Sequence, residues 1–229
     1  MYHQVADAPE AASSVVVSVD SFQRQMEFLK THRYRVLGLS DLVRELQTGK
    51  VIPAKTVSIT FDDGNLDNFK NAFPILKKMG FPATIFMITD NVGKPGFLAE
   101  EDLRILDDSA VSIGSHTVHH AFLPDLEPER VREELTESKK ALEKILGPGH
   151  EVTLFSYPGG GMTPEIQAAV REAGYKAAAT TNYRTKKNDT YGLHRIKISE
   201  SSSNLFNFWL KLSGYYHLGK KRVLANPGR

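Results

Sequence analysis

Two adjacent carboxylates follow a run of strand-forming residues in the segment "SITFDDG", residues 58–64. Isoleucine, threonine and phenylalanine suit a buried strand, whereas burying an unpaired carboxylate is costly. Because neighbouring side chains of a strand point to opposite faces, Asp62 and Asp63 can share a pocket only if the strand ends before them and Gly64 lets the chain turn. There they would repel each other unless a cation took up one charge and left the other carboxylate free as a base. This segment alone fits a cation site and a simple capped Asp-Asp-Gly turn equally well.

A second predicted strand runs into histidines in "VSIGSHTVHH", residues 111–120. His116 and His120 are four residues apart, a spacing that lets two imidazoles meet one ion in a helical turn or a tight loop. His119 lies between them and is expected to point elsewhere. Together with Asp63, the two histidines make a set of two imidazoles and one carboxylate that leaves coordination positions open.

A third strand end, "LFSYPGGG" at residues 154–161, offers a proline and consecutive glycines. Glycine there lets a ligand approach the backbone, and it can present an N–H group to a developing oxyanion. On its own the stretch is equally typical of an ordinary loop.

These segments lie in an alternating pattern of apolar runs and amphipathic stretches. Candidate strands are 36–38, 57–61, 83–88, 111–114, 153–157, 177–181 and 193–198, with a short one at the N-terminus. Candidate helices are 22–29, 42–46 behind Ser40 as N-cap, 69–79 ended by Gly80, 127–146, and 163–173 with Thr163 as N-cap. The alternation predicts a parallel sheet, and the number of units favours a barrel with its working edge at the C-terminal ends of the strands.

The composition is that of an ordinary globular protein of 229 residues, with 41% hydrophobic and 24% charged residues. The chain has no cysteine, which excludes disulfides, thiol nucleophiles and cysteine-based metal sites. No stretch is long and apolar enough to predict a membrane span or a signal peptide, and the net charge of +2 gives no sign of nucleic-acid binding. After Glu200 there is no acid but five bases, and we expect this tail to be solvated: Lys211, Lys220, Lys221, Arg222 and Arg229.

"TFDDG" (60–64) followed by "SHTVHH" (115–120) resembles the polysaccharide deacetylases, the NodB-homology or carbohydrate esterase family 4 enzymes, and the similarity runs to about Ile198. The resemblance implies an α/β fold, a deformed (β/α) barrel of about seven strands in a single domain over residues 1–200. Residues 201–229 would add a C-terminal helix and the basic tail. It also implies a divalent metal, usually Zn²⁺, with Co²⁺ or Ni²⁺ as alternatives.

The resemblance also implies a role for each site residue. The implied metal ligands are Asp63, His116 and His120, the base is Asp62, and the substrate or oxyanion contacts are the Gly159 N–H group, Tyr157 and Arg195.

The sequence departs from the family pattern in three places. Ser156 stands where the family has an arginine that steadies the base, and Gly159 stands in place of an aromatic residue. The family's "DxxDW" segment has no counterpart, and Arg195 is a candidate to replace the missing arginine.

The general acid has two candidates. "GLHRI" (192–196) superficially supplies the family's C-terminal "LxH" histidine as His194. "MYHQV" (1–5), however, looks like the N-terminal histidine segment of a circularly permuted sub-group resembling the poly-N-acetylglucosamine deacetylases. On that resemblance we favour His3 over His194.

The function implied is metal-dependent removal of N-acetyl groups from polysaccharides that contain N-acetylglucosamine. Three alternatives stay open: an O-acetyl esterase of xylan-type polymers, a non-catalytic carbohydrate-binding protein on the same barrel, and a non-haem Fe(II) oxygenase, which uses the same ligand types. Expected partners are an acetylated polysaccharide and no nucleic acid, with a monomer favoured and an extracytoplasmic location. Phe97, Tyr183 and Trp209 could stack on sugar rings, and residues 204–218 could form a terminal helix or part of a glycan groove.

Overall fold

The computed structural model describes residues 1–7, 14–182 and 189–213. Tyr183 and most of the basic tail lie outside these ranges. The strands are β1 (Gln4–Val5), β2 (Val16–Val17), β3 (Arg35–Val36), β4 (Thr56–Val57), β5 (Ile59–Phe61), β6 (Ala83–Met87), β7 (Val111–Ser115), β8 (Leu154–Ser156), β9 (Ala177–Thr180) and β10 (Leu193–His194). The α-helices are α1 (Val19–Thr31), α2 (Leu39–Gln47), α3 (Phe73–Met79), α4 (Glu100–Asp107), α5 (Pro128–Leu146), α6 (Pro164–Glu172) and α7 (Leu205–Leu212).

A curled parallel sheet organises the described residues. Its six strands lie in the order β10-β9-β8-β7-β6-β5, so that strands adjacent in the sheet follow one another along the chain. Helices α3, α4, α5 and α6 each connect one strand of this sheet to the next, as parallel pairing requires. All of the C-terminal strand ends therefore meet at one edge, where the Asp and His segments follow β5 and β7.

The first residues of the chain lie between the two ends of this sheet. The Tyr2 N–H group donates to the Thr60 carbonyl at 2.8 Å, and the Asp62 N–H group donates to the Tyr2 carbonyl at 3.0 Å. On the other side, the Ile198 N–H group donates to the Met1 carbonyl at 2.9 Å. These backbone bonds link β5 to the chain that follows β10 and bring the next residue, His3, to the same edge.

The core is made of the apolar side chains of the strands and the inner faces of the helices. Tyr2, Phe22 and Phe61 are at most 3% exposed, and the Tyr2 ring lies 5.1 Å from Phe22 and 5.6 Å from Phe61, measured between ring centroids. Full burial of each large apolar side chain contributes about 1.5–3 kcal/mol, so the N-terminal segment is fastened by packing as well as by backbone bonds.

Most predicted elements are present, with corrections at their ends. The predicted strand 57–61 is divided into β4 and β5 on either side of Ser58, and β4 pairs with β3 rather than with the main sheet. The predicted strand 193–198 ends at His194, because the chain beyond Arg195 bonds to Met1 instead of to β9. Ser40 is not the N-cap of α2: the helix begins at Leu39 behind Gly38.

The short strand predicted at the N-terminus is present as β1, whereas its partner β2 and helix α4 have no counterpart in the prediction. Helix α4 is only eight residues long and has an acidic first turn, and β2 is only two residues long. Segments this short carry almost no periodic signal. The predicted caps Thr163, which accepts from the Ile166 N–H group at 3.3 Å, and Gly80, in the left-handed region at φ 70°, are confirmed.

Helix α7 occupies the first half of the predicted helix 204–218, and residues 214–218 lie outside the described residues. Phe208 is buried, with its ring centroid 5.8 Å from that of Phe28 on α1. Lys211 is 6% exposed and its ammonium group donates to the Lys197 carbonyl at 2.9 Å, so the expectation that it is solvated is wrong. Trp209 is 41% exposed. In the described part of the chain, no helix combines the length and apolar character needed to cross a membrane.

Candidate metal centre and active site

The turn after β5 directs both aspartates to the same edge of the sheet. Asp63 and Gly64 adopt left-handed conformations, with φ of 74° and 76°. A Cβ atom on Gly64 would lie 1.9 Å from the sulfur of the buried Met87 side chain, so any other residue here would combine an unfavourable φ with a displacement of Met87. The abrupt turn breaks the alternation of the strand, and Asp62 and Asp63 both reach the site.

Asp63, His116 and His120 form a donor set of the size that one metal ion needs. The Asp63 Oδ1 atom lies 3.6 Å from the Nε2 atom of His116 and 3.6 Å from that of His120. One ligand atom from each of the three residues lies within 4.8 Å of the other two. Ligands about 2.1 Å from a tetrahedral ion are roughly 3.4 Å apart, close to the observed spacing.

The protonation of the three groups also suits a metal. The His116 Nδ1 atom is 2.7 Å from the Ser156 carbonyl oxygen, which can only accept, so Nδ1 carries the proton and Nε2 presents its lone pair. Burial lowers the pKa of His116 and of His120, which keeps both rings neutral at pH 7. Burial raises the pKa of Asp63, and its buried Oδ1 atom has no hydrogen-bond partner among the described residues. A cation would supply the missing partner, so the residues fit a divalent metal.

Backbone strain is concentrated at this site. The described residues other than glycine with positive φ are Arg33, Asp63, Thr117 and His120. Three of the four belong to the two segments that carry the donor set. Left-handed residues other than glycine persist where their surroundings fix them, and they cluster at functional sites.

Asp62 lies beside the donor set and has a different partner. The Arg195 guanidinium donates from Nη1 to Oδ1 at 2.6 Å and from Nη2 to Oδ2 at 2.7 Å. Asp62 is 3% exposed, and burial alone would raise the pKa of its carboxyl. The charge of Arg195 and its hydrogen bonds to the carboxylate outweigh burial and hold that pKa well below its usual range. Asp62 is therefore ionised and held in one orientation.

Ser156, at the position where the family resemblance places an arginine, takes part in the same contact. Its hydroxyl accepts from Arg195 Nη2 at 2.7 Å and lies 3.5 Å from Asp62 Oδ2. The chain thus has a serine at the end of β8, and the guanidinium that contacts Asp62 comes from Arg195, which follows β10.

His3 faces this group of charges. Burial lowers the pKa of its ring to about 4. The positive charges of Lys197 and Arg195 lower it further, whereas the negative charge of Asp62 opposes them. The amide of Asn68 donates to the His3 carbonyl at 2.7 Å, which fixes the backbone at this residue. The ring Nδ1 atom is buried without a hydrogen-bond partner among the described residues.

The chain from His194 to Lys197 borders both the site and a neighbouring cavity. Arg195 contacts Asp62 and also lines this cavity of about 290 Å³, which His194 lines together with apolar neighbours such as Leu39 and Leu42. Sequence analysis missed Lys197, whose pKa burial lowers while the charges of Asp63 and Asp62 oppose that change. Lys197 follows Arg195 by two residues, and alternate residues of an extended chain share a face. This spacing could have indicated that both side chains lie at the site.

In the turn that follows β8, the backbone of Gly159 is exposed, whereas the side chain of Tyr157 is buried. Gly159 is exposed with φ 59°, and the N–H groups of Gly160 and Gly161 donate to carbonyls within the same turn. The Tyr157 side chain is 1% exposed, and its hydroxyl donates to the Tyr191 carbonyl at 2.9 Å. The structure therefore does not bring the Tyr157 hydroxyl to the donor set.

The sequence is similar to a family profile and to relatives that are named as polysaccharide deacetylases. The profile of the polysaccharide deacetylase family matches residues 49–178. YxkH of Bacillus subtilis (strain 168) is 34% identical over 205 residues, which are 89% of this chain and 71% of YxkH. The poly-β-1,6-N-acetyl-D-glucosamine N-deacetylase of Staphylococcus aureus (strain N315) is 27% identical over 210 residues, 84% of this chain and 71% of the relative.

The fold is similar to that of a solved deacetylase. The Streptococcus pyogenes deacetylase PplD, solved in complex with acetate, superimposes with a TM-score of 0.83 at 27% sequence identity. The match covers 92% of this chain and 95% of PplD. Because the family profile spans both strand ends that carry the donor set, and the B. subtilis relative aligns with nearly the whole chain, this chain belongs to the polysaccharide deacetylase family.

Proposed function

We propose that this polysaccharide deacetylase hydrolyses N-acetyl groups of polymers that contain N-acetylglucosamine. The observation that carries the proposal is that two adjacent aspartates have different partners. Asp63 faces His116 and His120, whereas Asp62 is held by Arg195. The substrate class is inferred from the S. aureus relative, which is named for poly-β-1,6-N-acetyl-D-glucosamine.

Zn²⁺ is the cation that we propose for Asp63, His116 and His120, with Co²⁺ or Ni²⁺ as substitutes. Two imidazoles and one carboxylate are a donor set of catalytic zinc, with at least one position left open. When bound, such a cation polarises an acetyl carbonyl and lowers the pKa of a water molecule.

Asp62 acts as the general base that removes a proton from the attacking water. Arg195 keeps this carboxylate ionised, and the two hydrogen bonds fix its direction. A carboxylate with a low pKa is a weak base, so its contribution comes from its position beside the reacting atoms.

His3 is the proposed acid, and the Gly159 N–H group is the proposed donor to the oxyanion. With a pKa of about 4, His3 is neutral in the resting site at pH 7, so its proton must arrive during the reaction. We propose that this proton is the one that Asp62 takes from water. It then passes to the departing amine, and the second water proton stays with the released acetic acid.

We further propose that Met1 and Tyr2 act as the closing strand of a permuted, seven-stranded barrel in residues 1–200. Their backbone bonds to Thr60, Asp62 and Ile198 support this interpretation. Helix α7 and the tail would pack on this barrel or extend from it. We also propose that the protein is monomeric and that it acts outside the cytoplasm, where acetylated polysaccharide is found.

Acetate release tests the proposed activity. The purified protein is incubated with oligomers of β-1,6- and β-1,4-linked N-acetylglucosamine and with acetylated xylan, each with and without a chelator. We expect release from N-acetylglucosamine oligomers that the chelator abolishes. Release only from xylan would replace the proposal with an O-acetyl esterase, and glycan binding without any release would make the protein a carbohydrate-binding one.

A further inference from the structure

Glu134 is a buried carboxylate on α5 whose hydrogen bonds go to the loop between His116 and His120. It is 3% exposed. Its Oε2 atom accepts from the Val118 N–H group at 2.9 Å and from the His119 N–H group at 3.0 Å. Its Oε1 atom lies 2.6 Å from the His119 Nδ1 atom. Both carboxylate oxygens are therefore satisfied by a loop that belongs to the donor set.

The loop needs an external support of this kind. Thr117 and His120 both have positive φ, at 67° and 58°, a conformation unfavourable for residues other than glycine. The His120 side chain is 44% exposed, so packing holds it weakly. The two N–H groups that donate to Glu134 lie between these strained residues. Their bonds stabilise the conformation in which His120 Nε2 comes within 3.6 Å of Asp63.

We infer that Glu134 is a positioning residue that sets the affinity of the Asp63–His116–His120 site for a divalent cation. The inference rests on the proposed metal site and extends it to a residue that touches neither metal nor substrate. Groups that orient metal ligands from outside the coordination sphere commonly change metal affinity by about 10- to 100-fold. Here the orienting bonds go to the backbone of the loop rather than to the imidazole that binds.

The test measures cation binding without substrate. Zn²⁺ and Co²⁺ are titrated into the metal-free protein against a chromophoric chelator, and the visible absorption of bound Co²⁺ reports its coordination. The variants are Glu134→Ala, Glu134→Asp, which is one methylene too short, and Glu134→Gln, whose amide oxygen can accept the same two backbone bonds. Leu142→Ala is the matched control, because Leu142 is fully buried on the same helix and belongs to the hydrophobic core rather than to the loop.

We expect Glu134→Ala and Glu134→Asp to bind about 10- to 100-fold more weakly with an altered Co²⁺ spectrum. Glu134→Gln should stay close to the wild-type affinity, and Leu142→Ala should lower the melting temperature without changing affinity. If Glu134→Ala does not fold, the test rests on the cation affinities of Glu134→Asp and Glu134→Gln. A weaker affinity in Glu134→Asp alone supports the inference. Equal affinity in every Glu134 variant, or an equal loss in Leu142→Ala, overturns the inference while the metal site stands. Failure of the wild-type protein to bind either cation overturns the metal site as well.

Discussion

Arg195 donates to both carboxylate oxygens of Asp62, at 2.6 and 2.7 Å, although 133 residues separate them in the sequence. Ser156, at the end of β8, stands at the position that the family resemblance gives to arginine. Arg195 follows β10, two strands away in the sheet, and its Nη2 atom also donates to the Ser156 hydroxyl. A guanidinium from one strand end thus reaches the carboxylate across a serine small enough to leave room for it.

Replacing Arg195 with methionine, which has similar length and no charge, should disable Asp62. We expect kcat to fall by about 100-fold, because the base loses its orientation. Arg195 holds the pKa of Asp62 low, so its removal raises that pKa, and activity should be lost at a higher pH on the acid side of the profile. Breaking a buried ion pair also costs about 3–5 kcal/mol of unfolding free energy, so thermal unfolding is measured beside kcat against pH.

A relocated arginine provides the rescue. Adding Ser156→Arg to Arg195→Met should restore part of kcat. It should also return the pH at which activity is lost, on the acid side of the profile, toward the lower wild-type value. Arg35→Met is the control, because Arg35 pairs with Glu45 on α2 rather than with a residue of the site. A kcat unchanged in Arg195→Met would show that the contact with Asp62 serves stability alone.

The sequence was sufficient where a signal is local. Buried parallel strands are continuous apolar runs, so β6, β7, β8 and β9 were located within one or two residues. The C-terminal ends of such strands meet at one edge, which is why Asp63, His116 and His120 could be grouped without a structure.

The sequence was insufficient where a contact depends on distant parts of the chain. Tyr157 is adjacent to the glycine turn in sequence, but its side chain is buried and its hydroxyl donates to the Tyr191 carbonyl. The sequence pattern offers Arg195 only as a candidate to replace the missing arginine, because its contact with Asp62 joins residues 133 positions apart. Glu134 belongs to an ordinary amphipathic helix pattern, and its bonds to the loop depend on how α5 packs on the sheet.

Asp62→Asn should separate chemistry from metal binding. Asparagine keeps the shape of the side chain but cannot take a proton from water, so we expect kcat to fall by about 100- to 10,000-fold. Zn²⁺ affinity should change little, because the Asp63–His116–His120 donor set is intact. Acetate release and chelator competition are measured on the same preparation. Substantial turnover by this variant would assign the base to another residue.

Removal of the metal should abolish activity reversibly. Dialysis against a chelator should stop acetate release, and stoichiometric Zn²⁺ or Co²⁺ should restore it. His120→Ala should need a higher Zn²⁺ concentration for the same rate, because one of three ligands is missing. His150→Ala is the matched control, since His150 pairs with Asp107 away from the donor set. Full activity after exhaustive chelation, or equal behaviour of the two variants, would argue against a metal at this site.

Asp67 should make stability depend on pH through its contact with the N-terminal segment. Its Oδ1 atom accepts from the Val5 N–H group at 3.1 Å and from the Asn68 amide at 2.8 Å, and burial raises its pKa to about 6. Between roughly pH 4 and 6 the folded state therefore binds more protons at Asp67 than the unfolded state does, so this residue's contribution to stability falls as pH rises.

Asp67→Asn keeps the acceptor oxygen and removes the charge, which isolates this effect. We expect its melting temperature to match that of the wild type near pH 4, to exceed it increasingly up to about pH 6, and to keep that advantage at pH 7–8. Asn71→Ala is the comparison, because it removes the 2.7 Å bond to the Val5 carbonyl without changing an ionisable group. It should lower the melting temperature by a similar amount at each pH. A constant difference between Asp67→Asn and the wild type from pH 4 to 8 would contradict the raised pKa, because a carboxylate ionised alike in both states contributes no pH dependence.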